Sequence, residues 1–285
     1  MSGGSGADRG AGRGAGAPWL DEILAITFDF GNTLVPFPAG PMHEVLVDTA
    51  RAAAELTGCS VEDFVRIWNE ERLRQFAEDV PEGREADMDR RVVRVLARLD
   101  GVDVPVHGSR WNDAEIARRV RPDRVGAIVD AYAEIFARLT PIPAEIGPML
   151  ARLASHYRLG LISNWPLSLA VERYLQIAGW APFFRAVVIS QTIGSIKPHP
   201  QIFRVAAEQL GIPSGPSILH VGDDVGADVA GAMSLGWRTA WVRVKPEDST
   251  LPVAPPAPDA IPDLVVDRVT DLEAALARAA GRGAP

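Results

Sequence analysis

The stretch Ala25-Ile26-Thr27-Phe28-Asp29-Phe30-Gly31-Asn32-Thr33-Leu34 decides how the rest of the chain reads. Its first four residues are a short run too brief for a helix, which predicts a buried strand. A carboxylate, Asp29, stands where the strand stops, and Gly31 lets the chain turn. Five further apolar runs follow: Leu159–Ile162, Ala186–Ile189, Ile218–Val221, Thr239–Val242 and Leu264–Val266. Segments with helical spacing separate the later ones, such as Ile202, Ala206 and Leu210, or Val225, Val229 and Met233. Strands alternating with helices predict an α/β fold: a doubly wound, Rossmann-like parallel sheet with helices on both faces.

The interval between the first and second strands is far too long for one crossover, and its periodicity is helical. Val45, Leu46, Thr49, Ala53 and Leu56 make one apolar stripe, and Phe64, Ile67 and Trp68 begin another after an N-cap at Ser60. Met88, Val92, Leu96 and Leu99 make a third, and Val125, Ile128, Tyr132, Ile135 and Leu139 a fourth. They predict an inserted α-helical domain at residues 38–140, seated on the sheet like a lid and bounded by proline-rich turns at Pro36–Pro41 and Pro141–Pro143. The core is then residues 20–37 and 141–285. Pro246–Pro262 has no period and predicts an exposed loop before the last strand and helix. Residues 1–19, dominated by Gly, Ala, Ser, Arg and Asp, predict a disordered leader.

Of the 285 residues, 37 are acidic and 29 basic, a formal charge of -8, so no global positive field draws the protein to nucleic acid or anionic lipid. The single cysteine, Cys59, excludes an internal disulfide and a structural zinc site, and suits a reducing compartment such as the cytoplasm. No run approaches the roughly 18 apolar residues of a spanning helix, and no apolar centre of a secretion signal is seen, so no membrane is expected as a partner. Only two lysines occur, Lys197 and Lys245.

In an open parallel sheet the ligand site lies outside the carboxyl ends of the strands. Asp29 follows the first strand. Ser163 and Asn164 follow the second, where a hydroxyl and backbone N–H groups near a helix start suit an anion. Lys197 lies beyond the third, and Asp223, Asp224 and Asp228 follow the fourth. Carboxylates gathered at one edge repel each other unless they share a cation, and hard oxygen ligands favour Mg²⁺. A magnesium ion and a lysine beside a carboxylate keep it ionised and draw a phosphoryl group to it, so phosphoryl transfer is the expected chemistry.

The order Asp29…Thr33, Ser163, Lys197, Asp223-Asp224…Asp228 resembles the four motifs of the haloacid dehalogenase-like (HAD) superfamily, and the helical insert resembles its C1-type cap. The resemblance covers residues 22–280. It implies that Asp29 is a nucleophile that becomes an aspartyl-phosphate, and that Asp29, the Gly31 carbonyl, Asp223 and Asp224 hold Mg²⁺ with Asp228 behind them. It further implies that Ser163 bonds the phosphoryl oxygens, that Lys197 neutralises charge, and that Thr33 and Asn164 support substrate binding. The partner implied is a small phosphorylated molecule; the oligomeric state is left open.

One position departs from the pattern. HAD phosphatases usually carry a second aspartate two residues after the nucleophile, which protonates the leaving alcohol and then activates water; here that position is Gly31. Such an acid/base is typically worth about 10²–10⁴ in rate. His43, opening the first inserted helix, is the candidate substitute because histidine as a residue type suits acid/base work near neutral pH. Two alternatives accompany the phosphatase reading. A haloacid-dehalogenase-type reaction at Asp29 shares Ser163-Asn164 but needs no metal and leaves the acidic cluster unexplained. A catalytically weak or inactive HAD-fold protein would bind a phosphorylated ligand without turnover. The resemblance ranks phosphonate cleavage far behind, because phosphonate-cleaving relatives need a Schiff-base lysine from the cap and residues 38–140 contain no lysine. His199, His220 and the scattered tryptophans read as structural.

Overall fold

A computed structural model describes residues 17–106 and 109–281. Residues 1–16 of the expected leader lie outside the described residues, and the chain enters through a single 3-10 turn at Pro18–Glu22.

The core is a six-stranded parallel sheet in the order β3-β2-β1-β4-β5-β6. Its strands are β1 Ala25–Phe28, β2 Arg158–Ser163, β3 Phe184–Ile189, β4 Ile218–Gly222, β5 Arg238–Val242 and β6 Leu264–Val266. Each contains its expected run and extends it by two residues at most. Buried residues alternate between faces as a pleat requires. Leu159, Leu161, Leu219 and Val221 join one apolar cluster, while Ile162, Ala186, Val188 and Ile218 join the other. Phe28 lies opposite both Leu161 and Val221, so the residues just beyond β1, β2 and β4 share one edge. The chain adds β2 and β3 on one side of β1 and then β4 to β6 on the other. That reversal opens a crevice at the carboxyl ends of β1 and β4.

Between β1 and β2 run α1 Ala39–Thr57, α2 Val61–Asp79, α3 Met88–Leu99, α4 Asp113–Ala117, α5 Pro122–Leu139 and α6 Ile146–Ala154. The helices after β2 are α7 Ser168–Ile177, α8 Ser190–Ile193, α9 Pro200–Leu210, α10 Ala230–Met233 and α11 Leu272–Ala279. Ser60 caps α2 as expected, its hydroxyl accepting the Asp63 N–H at 3.0 Å. α1 stops at Gly58, whose left-handed φ of 75° suits glycine. Pro41 falls inside the first turn of α1, where its missing N–H is no loss.

The apolar stripe of α2 ends at Trp68, yet its buried face continues through Glu71, Gln75 and Asp79. α3 answers these with Arg98 on Glu71 at 3.0 Å, Arg91 on Gln75 at 2.8 Å and Arg90 on Asp79 at 3.1 Å. Among the described residues no helix is long and apolar enough to cross a membrane.

Candidate active site

Beyond β1 the Asp29 N–H donates to the Val221 carbonyl at 2.8 Å, carrying the pairing with β4 one residue past the strand and fixing Asp29 in the crevice. Lys197 Nζ donates to Asp29 Oδ1 at 2.5 Å, Asp228 Oδ1 at 2.6 Å and the Ile162 carbonyl at 2.9 Å, which uses all three ammonium hydrogens. Asn164 holds the lysine's backbone: its Oδ1 accepts the Lys197 N–H at 2.7 Å, and its Nδ2 donates to the Lys197 carbonyl at 3.1 Å. Asn164, expected at the substrate, lines the cavity and also positions Lys197. Ser163 ends β2 and lines the same cavity as Asp29, Lys197 and Asp223.

The acidic cluster differs from the expected one. Oxygens of Asp29, Asp223 and Asp228 lie within 4.8 Å of one another. Asp224 is absent from this group because backbone N–H groups take both of its oxygens. Oδ1 accepts from Gly226 at 2.8 Å and Ala227 at 2.9 Å, and Oδ2 accepts from Ala254 at 2.7 Å. Asp228 stands in the cluster itself, held by Lys197, by His220 Nε2 at 3.1 Å, and by the Asp224 N–H at 3.0 Å. His220 is anchored in turn to Thr27 Oγ1 at 2.9 Å. Lys245 Nζ lies 3.3 Å from Asp223 Oδ2.

Burial pushes Asp29 up to about 8; Lys197 opposes the rise, and the charges of Asp228 and Asp223 add to it. Burial, then Asp228, pushes Asp223 up to about 6. Burial works against ionised Asp228 as well, but Lys197 and His220 outweigh it and hold the group below the usual carboxylate range. Lys197 is held above its ordinary value: desolvation acts to lower it, and Asp228 and Asp29 prevail. Asp29 and Asp223, hard oxygen donors whose ionised forms are disfavoured by burial and by neighbouring carboxylates, fit a divalent cation such as Mg²⁺.

Asp228 accepts from Lys197, His220 and the Asp224 N–H, so its loss leaves buried donors short of an acceptor and Lys197 with only the disfavoured charge of Asp29 beside it. Asp228→Asn is therefore expected to lower unfolding free energy by about 3–5 kcal/mol in urea titrations near neutral pH. The unfolded value is 3.8 and the folded one lies below it, so the gap from wild type should be full above pH 3.8 and shrink as the pH falls beneath it. Equal stability at pH 7 would contradict this role for Asp228.

Gly31 lies in the cavity wall, and a Cβ built on it would sit 2.6 Å from Leu251 Cδ1, with Phe37 and Trp165 each at 3.6 Å. Leu251 belongs to the segment expected as an exposed loop. That segment is indeed aperiodic, but Ser249, Leu251 and Ala254 are half-buried, and it folds over the strand edge. Asn32, at a left-handed φ of 57°, donates from Nδ2 to Ser249 Oγ at 3.0 Å, and Asp248 Oδ2 accepts the Ala39 N–H at the start of α1 at 3.1 Å. Sequence reasoning missed this loop. The available signal was Lys245, one of only two lysines, placed just past the fifth strand.

His43 is the fifth residue of α1; it is exposed and lines the cavity. Thr33 is buried with its hydroxyl unpartnered, and it is not among the cavity's lining residues. The cavity holds 1310 Å³ between the strand edge and the inserted helices, which contribute Trp68, Arg72, Arg91 and Tyr132 to its wall.

The haloacid dehalogenase-like hydrolase family model matches residues 23–236. This chain belongs to that family. The HAD-like hydrolase is 32% identical over 237 residues to the 5-amino-6-(5-phospho-D-ribitylamino)uracil phosphatase of Escherichia coli, covering 81% of this chain and 87% of that protein. It is 31% identical over 137 residues to the pyrimidine 5'-nucleotidase of Escherichia coli, covering 48% of this chain and 59% of the nucleotidase, so under two thirds of that relative is spanned. The solved 2-haloacid dehalogenase of Pseudomonas syringae pv. Tomato superposes with a TM-score of 0.58 at 23% identity, over 90% of this chain and 99% of the other, which establishes the shared fold.

Proposed function

We propose that this HAD-like hydrolase is a Mg²⁺-dependent phosphatase acting on a small phosphate monoester through an aspartyl-phosphate at Asp29. The observation that carries the reading is the Lys197 ammonium bridging Asp29 and Asp228 on the floor of a cavity that also holds Ser163 and Asp223. Asp29, Asp223 and the Gly31 carbonyl would hold the ion, which when bound neutralises the cluster and polarises the phosphoryl oxygens.

A carboxylate oxygen of Asp29 attacks phosphorus, the ester P–O bond breaks, and the departing oxygen takes up a proton as alcohol. Water then cleaves the acyl phosphate, releasing inorganic phosphate and restoring the carboxylate. Lys197 offsets the negative charge of nucleophile and phosphate, the Ser163 hydroxyl donates to a phosphoryl oxygen, and Asn164 and Asp228 keep the lysine in place. The cap, residues 38–140, closes over the cavity and excludes bulk water.

The test is phosphate release from a panel of phosphate monoesters with Mg²⁺, repeated in EDTA. Release with Mg²⁺, lost in EDTA and restored by excess Mg²⁺, is expected. Halide release from 2-chloropropionate that persists in EDTA would overturn the reading in favour of a dehalogenase. Ester binding without release would favour the weak or inactive protein, a reading supported by Leu251 filling the space beside Gly31.

A further inference from the structure

Arg91 on α3 is 3% exposed, and its partners are all neutral: Gln75 Oε1 at 2.8 Å, the Ala86 carbonyl at 3.1 Å, and the Trp68 ring beneath the guanidinium. Arg72 on α2, half-buried over Phe76, donates only to the Thr250 carbonyl at 3.4 Å. No carboxylate pairs with either among the described residues, whereas Arg90, Arg94 and Arg98 on the same α3 are all ion-paired. Both unpaired arginines line the cavity whose floor is Asp29 and Lys197. Desolvation pushes both below the usual arginine value, Arg91 to about 10, where the charge of Arg72 adds to the fall and those of Glu85 and Asp87 oppose it. A buried cation with no carboxylate in ion-pair reach is unfavourable, and arginine is the side chain best shaped for carboxylate and phosphate. The pair therefore gives the cavity wall two guanidinium groups that no ion pair of this chain engages, although the charges of Glu85 and Asp87 reach Arg91.

We propose that Arg72 and Arg91 bind a second anionic group of the substrate, a carboxylate or a second phosphate, while the scissile phosphate lies at Asp29. The substrate class is thus a phosphate monoester carrying another negative charge, and the proposal rests on the phosphatase reading. The cavity's 1310 Å³ accommodates such a two-ended ligand. Trp68 and Tyr132 line the cavity beside the arginines and supply apolar wall for whatever joins the two ends.

The test is titration calorimetry on the Mg²⁺-loaded Asp29→Asn protein, so that binding is read without turnover. Two matched pairs separate the sources: 3-phosphoglycerate against glycerol 3-phosphate for a carboxylate, and fructose 1,6-bisphosphate against fructose 6-phosphate for a phosphate. In at least one pair the doubly anionic member is expected to bind about ten- to a hundred-fold more tightly, the range of charged hydrogen bonds. Arg91→Met should erase that preference and leave the singly anionic member unchanged. Arg72→Gln, at the less buried position, should reduce it and serves if Arg91→Met fails to fold. Equal affinities in both pairs, or a preference that survives the arginine substitution, overturn the anion site. An arginine-dependent preference in a protein whose wild type releases no phosphate would uphold the site and overturn the phosphatase.

Discussion

Asp29→Asn is expected to lower Mg²⁺-dependent phosphate release by at least about 10³-fold, because removing a nucleophile leaves only positioning and charge stabilisation to act on the ester. The amide is isosteric, and Lys197 keeps Asp228 as its counter-charge. Burial and two neighbouring carboxylates hold Asp29 above its unfolded value of 3.8, so at neutral pH its ionised form weighs against folding. The variant should therefore melt at the same temperature as wild type or higher, even as activity vanishes. That combination separates a lost nucleophile from a lost fold. Steady-state rates and thermal melts side by side check it; release within ten-fold of wild type would remove Asp29 from the chemistry.

Gly31→Asp combined with Leu251→Ala is expected to raise turnover by about 10²-fold, toward what an acid/base at that position typically supplies. Gly31→Asp alone should yield less. Its Cβ would start 2.6 Å from Leu251 Cδ1, and its carboxyl would emerge among Leu251, Phe37 and Trp165, where little solvates a charge. Cutting Leu251 back opens that corner. The double variant should also show a new limb in the pH dependence of kcat from the added carboxyl. If turnover stays flat in both variants, the leaving group already finds its proton elsewhere. His43→Ala then identifies the donor by a loss of rate, since that ring lines the cavity from α1.

The sheet was legible in the chain because each strand is a short apolar run ended by a turn, and because crossovers of helical period force parallel pairing. That Asp29, Ser163, Lys197 and Asp223 meet in one cavity was legible for the same reason: each stands at or beyond the end of a strand, and the sheet brings strand ends together. α4 was not, since Asp113–Ala117 is too short to show a period. The inner face of α2 was hidden because Glu71, Gln75 and Asp79 look like a solvated face until the arginines of α3 are packed against them. That Asp228 rather than Asp224 joins the acidic cluster turns on the contacts with Lys197 and His220 on one side and with Gly226, Ala227 and Ala254 on the other, which residue order does not encode. The loop around Leu251 carries no period, and its contacts with Asn32, Ala39 and Asp224 join residues remote in sequence.

β1 is the centre of the sheet, yet both of its partners, Arg158–Ser163 and Ile218–Gly222, are encoded beyond the entire helical insert. During synthesis on the ribosome the four buried residues Ala25–Phe28 emerge before either partner strand and remain unpaired in the sheet while α1 to α6 are made. The inserted helices, rich in local contacts, are free to form ahead of the sheet, whose closure awaits the return of the chain. An apolar strand left waiting in this way invites capture by other nascent chains, which makes the interval before β2 appears the aggregation-prone stage in the life of this enzyme.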